Sequence, residues 1–317
     1  MRINKSLLLV VLIVSVLISS LFVPVSAASD DPIVIGIVNW ADTTAPAHIV
    51  AHIIEKYFDH PVQVKTTSKA LSYSGLSTGD FDLTFSVWLP SVDFRHVYRF
   101  KHSIDTLPTP YYYNAFLGLY VPDYMPEETI SDLADPDVAK KYGGKIVGID
   151  PGSSLMTMTR EDVIPEYGLD EYYDLQGSSG AAMTAQLARS IKREKPVVVT
   201  LWAPHWALSK FDIHKLKDPK GLYGQPNKIY MATHKGFRAN YPEITTFLES
   251  VEFNTIDFVG ASTEHPKLAA WDHDWLSAAM LMVEEGMSLE EMAEAWVEEH
   301  SEAVEAWVEG KSWTPEG

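Results

Sequence analysis

Residues 197–206 read V-V-V-T-L-W-A-P-H-W. A run rich in β-branched side chains ends on a tryptophan, and a proline two residues later interrupts backbone pairing. Such a run reads as a buried strand whose last side chain reaches the mouth of a sheet. The same grammar occurs twice more: residues 33–39 (I-V-I-G-I-V-N) run into Trp40, and residues 82–87 (D-L-T-F-S-V) run into Trp88 with Pro90 behind it. In open α/β sheets ligands sit outside the carboxyl ends of the strands, so three indoles placed there can converge on one small molecule.

Outward from these strands the chain alternates. After the first, Thr43 or Thr44 is placed to cap a helix over about 46–58, with Pro46 in its first turn. A strand at 62–66 leads to a helix around 71–77 that ends near Gly79. Strand, helix, strand, helix, strand at this spacing predicts a doubly wound α/β half. The aromatic β segment 111–121 suits a crossing to a second half. A short capped helix lies near 130–140, with Ser131 and then Asp135-Pro136 as signals. A strand at 145–149, a turn at 150–154, a helix at 155–167, a helix at 180–193 capped by Ser178 or Ser179, and the strand 197–202 follow. Residues 229–234 suit a second crossing, and the remainder is mostly helical. Trp296 and Trp307 stand three helical turns apart on that reading and are packing residues.

The bulk numbers narrow the function. The chain has 317 residues, is 46% hydrophobic, and carries a formal charge of −18. That acidity disfavours a nucleic-acid partner, because phosphate recognition needs the opposite sign. Arg2 and Lys5 precede an apolar run to about Val23, and Val25-Ser26-Ala27 offers a small-residue cleavage site, so residues 1–27 read as a secretory signal peptide. An uncut anchor is the alternative, since the run is long. The chain has no cysteine, which excludes disulfides and thiol catalysis.

Among residues able to carry chemistry, the tryptophans come first. An indole face attracts a cation, worth about 0.5–2 kcal/mol per ring, and aromatic cages recur where quaternary ammonium groups are bound. The competing reading is that the three rings only fill a core. The turn Asp150-Pro151-Gly152-Ser153-Ser154 joins a strand to a helix, and amides at a helix N-terminus suit an anion or hydroxyl; it lacks the glycines of a nucleotide loop. His48 and His52 are four apart but without the glutamate of a zinc-binding helix. Asp272-His273-Asp274 is the one cluster that would support an exported metal-dependent enzyme, the reading from a different class.

Four segments together carry a family resemblance: W-L-P at Trp88, G-I-D-P-G-S-S-L-M at 148–156, G-A-A-M-T-A-Q-L at 180–187, and W-A-P-H-W at 202–206. They resemble the OpuAC-type substrate-binding proteins of ABC importers for glycine betaine and related quaternary ammonium compounds, over roughly residues 33–310. The resemblance implies a two-lobed α/β periplasmic-binding-protein fold (type II) with the ligand in the inter-lobe cleft. Lobe one would be 33–112 plus 230–317, and lobe two 113–229. It implies a cage of Trp40, Trp88 and Trp202, with the backbone amides of Ser154 and Leu155 receiving a carboxylate. Ser153 of the same turn, His205 of W-A-P-H-W and Tyr113 of the crossing strand are further ligand-binding candidates.

Two positions depart from a betaine pattern. Many betaine binders carry a histidine five residues after the tryptophan of W-L-P; here that position is Asp93, with His96 nearby. Asp42 stands where choline-binding relatives use an aspartate for the ligand hydroxyl. Glycine betaine or a close carboxylated relative is the leading expectation, and choline stays open. No cofactor, metal or catalytic residue is implied. The expected partner is an ABC permease, and the expected state is an exported monomer, periplasmic or held at the outer face of the cell membrane.

Overall fold

Parallel strands cannot be joined by a tight turn, so each strand-to-strand step needs a helix that also covers a sheet face. The computed structural model, which describes residues 31–254 and 275–313, is built twice on this unit. In the first, β1 (Ile33–Ile37) pairs in parallel with β2 (Val62–Thr66) and β3 (Leu83–Leu89). The crossovers are α1 (Ala41–Phe58) and α2 (Lys69–Thr78). Ile49, Val50, Ile53 and Ile54 of α1 are fully buried, each such side chain contributing about 1.5–3 kcal/mol. Phe81 fills the space beside Gly36 and Gly75, where a Cβ would stand within 2.4 Å and 2.3 Å of its ring.

The chain then runs through α3 (Phe94–Phe100) and β4 (Ile104–Thr106) into the long strand β5 (Tyr112–Pro122). The second unit contains α4 (Pro136–Lys141), β6 (Lys145–Val147), α5 (Ser154–Met158), a π-helical turn (Thr159–Val163), α6 (Ile164–Glu166), β7 (Asp174–Gln176), α7 (Gly180–Lys192) and β8 (Val198–Ala203). Here β6 pairs in parallel with β7 and β8. After α8 (Ala207–Lys210) and β9 (Ile213–Lys215), β10 (Asn227–His234) returns the chain to the first unit. The strand order is β2-β1-β3-β10-β5-β8-β6-β7. The antiparallel neighbours β10 and β5 therefore join the two parallel sets: β10 pairs with β3, and β5 with β8.

The described C-terminal part is helical: α9 (Phe237–Asn240), α10 (Pro242–Leu248), α11 (Trp275–Glu284), α12 (Leu289–Glu299) and α13 (Ser301–Val308). Helices α11 and α12 pack on α1. Trp296 and Trp307 are fully buried and stacked, ring centroids 5.9 Å apart and planes at 18°. They pack as expected but lie on two helices, because the expected single helix breaks at His300.

Other boundaries differ for local reasons. Helix α1 begins at Ala41, five residues before Pro46, and its N-cap is Trp40. Thr43 and Thr44 lie inside it, and the Thr44 hydroxyl donates back to the Trp40 carbonyl at 2.7 Å. Thr129 rather than Ser131 caps the 3-10 turn Ile130–Ala134, and Asp135 caps α4. Ser179 is the cap of α7. Trp88 and Trp202 are the penultimate residues of β3 and β8, and a cis Leu89–Pro90 or Ala203–Pro204 bond follows each strand. Among the described residues no helix is long and apolar enough to cross a membrane. The expected signal segment 1–27 lies outside the described residues.

Candidate functional site

The backbone places each ring before any ligand is considered. Trp88 stands opposite Ile229 in the β3–β10 ladder, and Trp202 opposite Leu117 in the β5–β8 ladder. Trp40 occupies the N-cap of α1 with extended backbone, φ −115° and ψ 149°. All three line one cavity of about 380 Å³, mouth included, together with Asp42, Asp93, Ser153, Ser154 and Leu155. Lys69, Ser86, Val92, Leu117 and Ile149 complete the wall.

Asp42 is the polar centre of this wall. Its side chain is 1% exposed. One carboxylate oxygen accepts the indole N–H of Trp202 at 2.9 Å, across 160 residues of sequence. The other accepts the Ser86 hydroxyl at 3.1 Å, and the Ser86 oxygen in turn accepts the indole N–H of Trp88 at 2.8 Å. A single carboxylate thus fixes two indoles from the two halves of the sheet. Burial pushes the Asp42 carboxyl up from 3.8 to about 6, against the pull of the Ser86 bond, the Lys69 charge and the Trp202 bond. Its place in the first turn of α1 favours the ionised form.

Ser86 holds this arrangement in an unusual backbone state. Its φ is 64°, within a strand, a conformation that costs a non-glycine residue about 1–3 kcal/mol. Its amide donates to the Tyr111 hydroxyl at 3.0 Å, and its carbonyl accepts from Lys69. These polar contacts of Ser86 all serve the cavity wall or its support.

Asp93 is fully buried. Its Oδ2 accepts the Trp88 amide at 2.8 Å and pairs with the Lys69 ammonium at 2.9 Å. The aspartate therefore does not stand as a bare negative charge before the ligand space. His96 is stacked on Tyr73 at 4.9 Å and is not part of the cavity wall.

The facing turn follows from capping chemistry. The Ser153 hydroxyl accepts the Met156 amide at 3.2 Å and so starts α5. Ser154 and Leu155 are the first two helical residues, whose amides have no carbonyl one turn back to bond. Both residues line the cavity.

Two expected site residues stand elsewhere. The Tyr113 amide donates to Asn254 at 2.7 Å and its ring lies 5.2 Å from the Lys228 ammonium; the residue is absent from the cavity wall. From β5 it is Leu117, not Tyr113, that lines that wall. His205 packs edge-on behind Trp202, ring centroids 4.7 Å apart. Its Nδ1 accepts the Ala207 amide at 3.0 Å, and burial pushes its pKa from 6.5 down to about 3, so it supports the ring as a neutral group. Trp206 lies beyond it, 5.3 Å from the His205 ring. Asp272, His273 and Asp274 lie outside the described residues, and among the described residues no cluster of three or more metal-ligating side chains occurs.

Sequence reading missed Lys69 and Ser86. Lys69 does leave a trace: it is a cation at the first position of a helix whose first turn has no acid, where the helix dipole disfavours positive charge. The positive φ of Ser86 leaves none.

Two parallel-stranded units joined by antiparallel crossings, with a cavity lined from both, define the type II periplasmic substrate-binding proteins. Within that class the chain belongs to the OpuAC family, the substrate-binding domain of ABC-type glycine betaine transport systems, matched over residues 31–299. It is 33% identical over 178 residues to the glycine betaine/carnitine transport binding protein GbuC of Listeria monocytogenes. That match covers 56% of this chain and spans about half, 53%, of the relative. Among solved structures it resembles the glycine/betaine/L-proline-binding protein ProX of Borrelia burgdorferi, with TM-score 0.76, 27% identity, and coverage of 87% of this chain and 96% of that one. It also resembles lactococcal OpuAC, closed and complexed with glycine betaine, with TM-score 0.75, 26% identity, and coverage of 88% and 100%.

Proposed function

We propose that this protein is the extracytoplasmic receptor of an ABC importer and binds a quaternary ammonium solute, glycine betaine or a close relative, in a cage of Trp40, Trp88 and Trp202. The observation that carries the reading is the convergence of three indoles, from three separate chain segments, on one cavity with a buried carboxylate between them. A fully methylated cation has no N–H to donate, so ring faces and shape must recognise it. Asp42 supplies the compensating charge, and the amides of Ser154 and Leu155 receive the ligand's carboxylate. The lobes are residues 33–112 with 230–317, and residues 113–229. Their closure over the ligand presents a monomer to the membrane permease. Export by the segment 1–27 places the protein in the periplasm or at the outer face of the cell membrane.

Choline is the second reading, and Asp42 favours it: a buried carboxylate in the wall can accept a hydroxyl. Calorimetry of the purified chain with glycine betaine, choline, carnitine and proline separates the two. Tighter binding of betaine supports the first; preference for choline selects the second. Absence of heat with every methylated ammonium overturns both.

A further inference from the structure

Lys69 is the residue of the cavity wall that neither the motifs nor a cation cage explains. An ammonium beside a site for a methylated ammonium repels the ligand's cationic end, and its presence calls for a role at the other end. The local chemistry makes the same point. Lys69 opens α2 after the cap Ser68, at the end of a helix where the dipole disfavours a cation. Asp93 occupies the N-cap position of α3, yet its side chain makes no capping bond there. Asp93 forgoes the capping role its position offers and meets Lys69 instead, at 2.9 Å, with side-chain exposures of 11% for the lysine and 0% for the aspartate.

The pair is also tied to the cage. Asp93 accepts the Trp88 amide, and Lys69 donates to the Ser86 carbonyl and lies 5.8 Å from the Trp40 ring centroid. An ammonium carries three N–H donors. Asp93 and Ser86 take two of them. The third belongs to a group that lines the ligand space.

We infer that Lys69 is a specificity-determining residue of this site: held by Asp93, it donates its remaining N–H to the anionic end of a zwitterionic solute and disfavours a purely cationic one. This rests on the quaternary ammonium reading above. It also accounts for Asp93 at a position where a carboxylate alone would repel a carboxylated ligand, because the pair presents the lysine's donor rather than the aspartate's charge. Asp42 then remains as the charge matched to the methylated end.

The test is calorimetry with glycine betaine and with choline, on the full chain and on Lys69→Met, Asp93→Asn and the double variant. Lys69→Met alone leaves Asp93 buried without its cation, a loss that destabilises the fold. The double variant removes the pair while the amide oxygen of the substituted side chain still accepts the Trp88 amide. In it, the betaine-to-choline ratio of dissociation constants rises by about tenfold, the worth of one charge-assisted hydrogen bond. Asp93→Asn moves the ratio the other way, because it frees the lysine for the ligand. An unchanged ratio in the double variant, with both ligands still bound, overturns the inference and leaves Lys69 a tie between α2 and β3. A wild-type chain that binds neither ligand overturns the underlying functional reading, and the inference with it.

Discussion

Asp42 holds two of the three cavity indoles by their N–H groups, one directly and one through Ser86, and its carboxyl is pushed up to about 6 by burial. Two opposite pH dependences follow. For folding, the raised value means the native state holds the proton more tightly than the unfolded chain does. The Asp42 contribution to stability is therefore full below 3.8 and is lost as pH rises through about 6. For binding, a cation favours the ionised form, so affinity for a quaternary ammonium ligand falls as pH drops through about 6. Calorimetry on either side of that value checks this; Asp42→Asn abolishes the difference. At Trp202 the ring and the N–H donor can be removed separately. Trp202→Ala weakens binding by about tenfold or more, whereas Trp202→Phe retains part of the affinity and leaves Asp42 short of one donor. Equal affinity of wild type and Trp202→Ala would remove this ring from the cage. At this scale the tryptophans and Asp42 were legible because motifs mark them. The Asp42–Ser86–Trp88 chain was not, since it depends on a left-handed serine within a strand.

At the scale of elements, the strand-to-turn unit Trp202-Ala203-Pro204-His205 rests on a buried neutral imidazole. Its folded pKa, near 3, lies below the unfolded 6.5, so the unfolded chain binds more protons between them. This contribution is full above pH 6.5 and is lost as pH falls towards 3, opposite in sign to that of Asp42. His205→Asn, which keeps an acceptor for the Ala207 amide, removes that acid sensitivity; thermal melts across this pH range measure it. The α5 start offers a second test. Ser153→Ala removes the bond to the Met156 amide and lowers stability by about 1 kcal/mol, and betaine affinity falls with it because Ser154 and Leu155 lose their aim. Strand and helix identities were legible here from apolar runs and caps. Boundaries were less so: Trp40 replaces a threonine cap, and β3 and β8 each run one residue past the tryptophan expected to end them.

On the scale of the whole molecule, the alternation of strands and helices made two α/β units readable, and the long aromatic strand suggested a crossing. The pairing that unites them was not readable. It sets β10 beside both β3 and β5, with Asn227 opposite Ala115 and Ile229 opposite Tyr112, and such non-local register is decided by packing rather than local pattern. The same limit misplaced Tyr113 at the cavity and hid Lys69, whose ion-pair partner Asp93 lies beyond β3. The crossing brings Trp202 to Asp42, so the site exists only once both units are assembled. Under the proposed function, its ring faces recognise a permanent positive charge. The most direct measurement compares glycine betaine with 3,3-dimethylbutyrate, the isostere in which carbon replaces the quaternary nitrogen. With three rings contributing about 0.5–2 kcal/mol each, betaine binds at least about tenfold more tightly. Equal affinity for the neutral and cationic head groups would contradict the cage and leave a merely hydrophobic pocket.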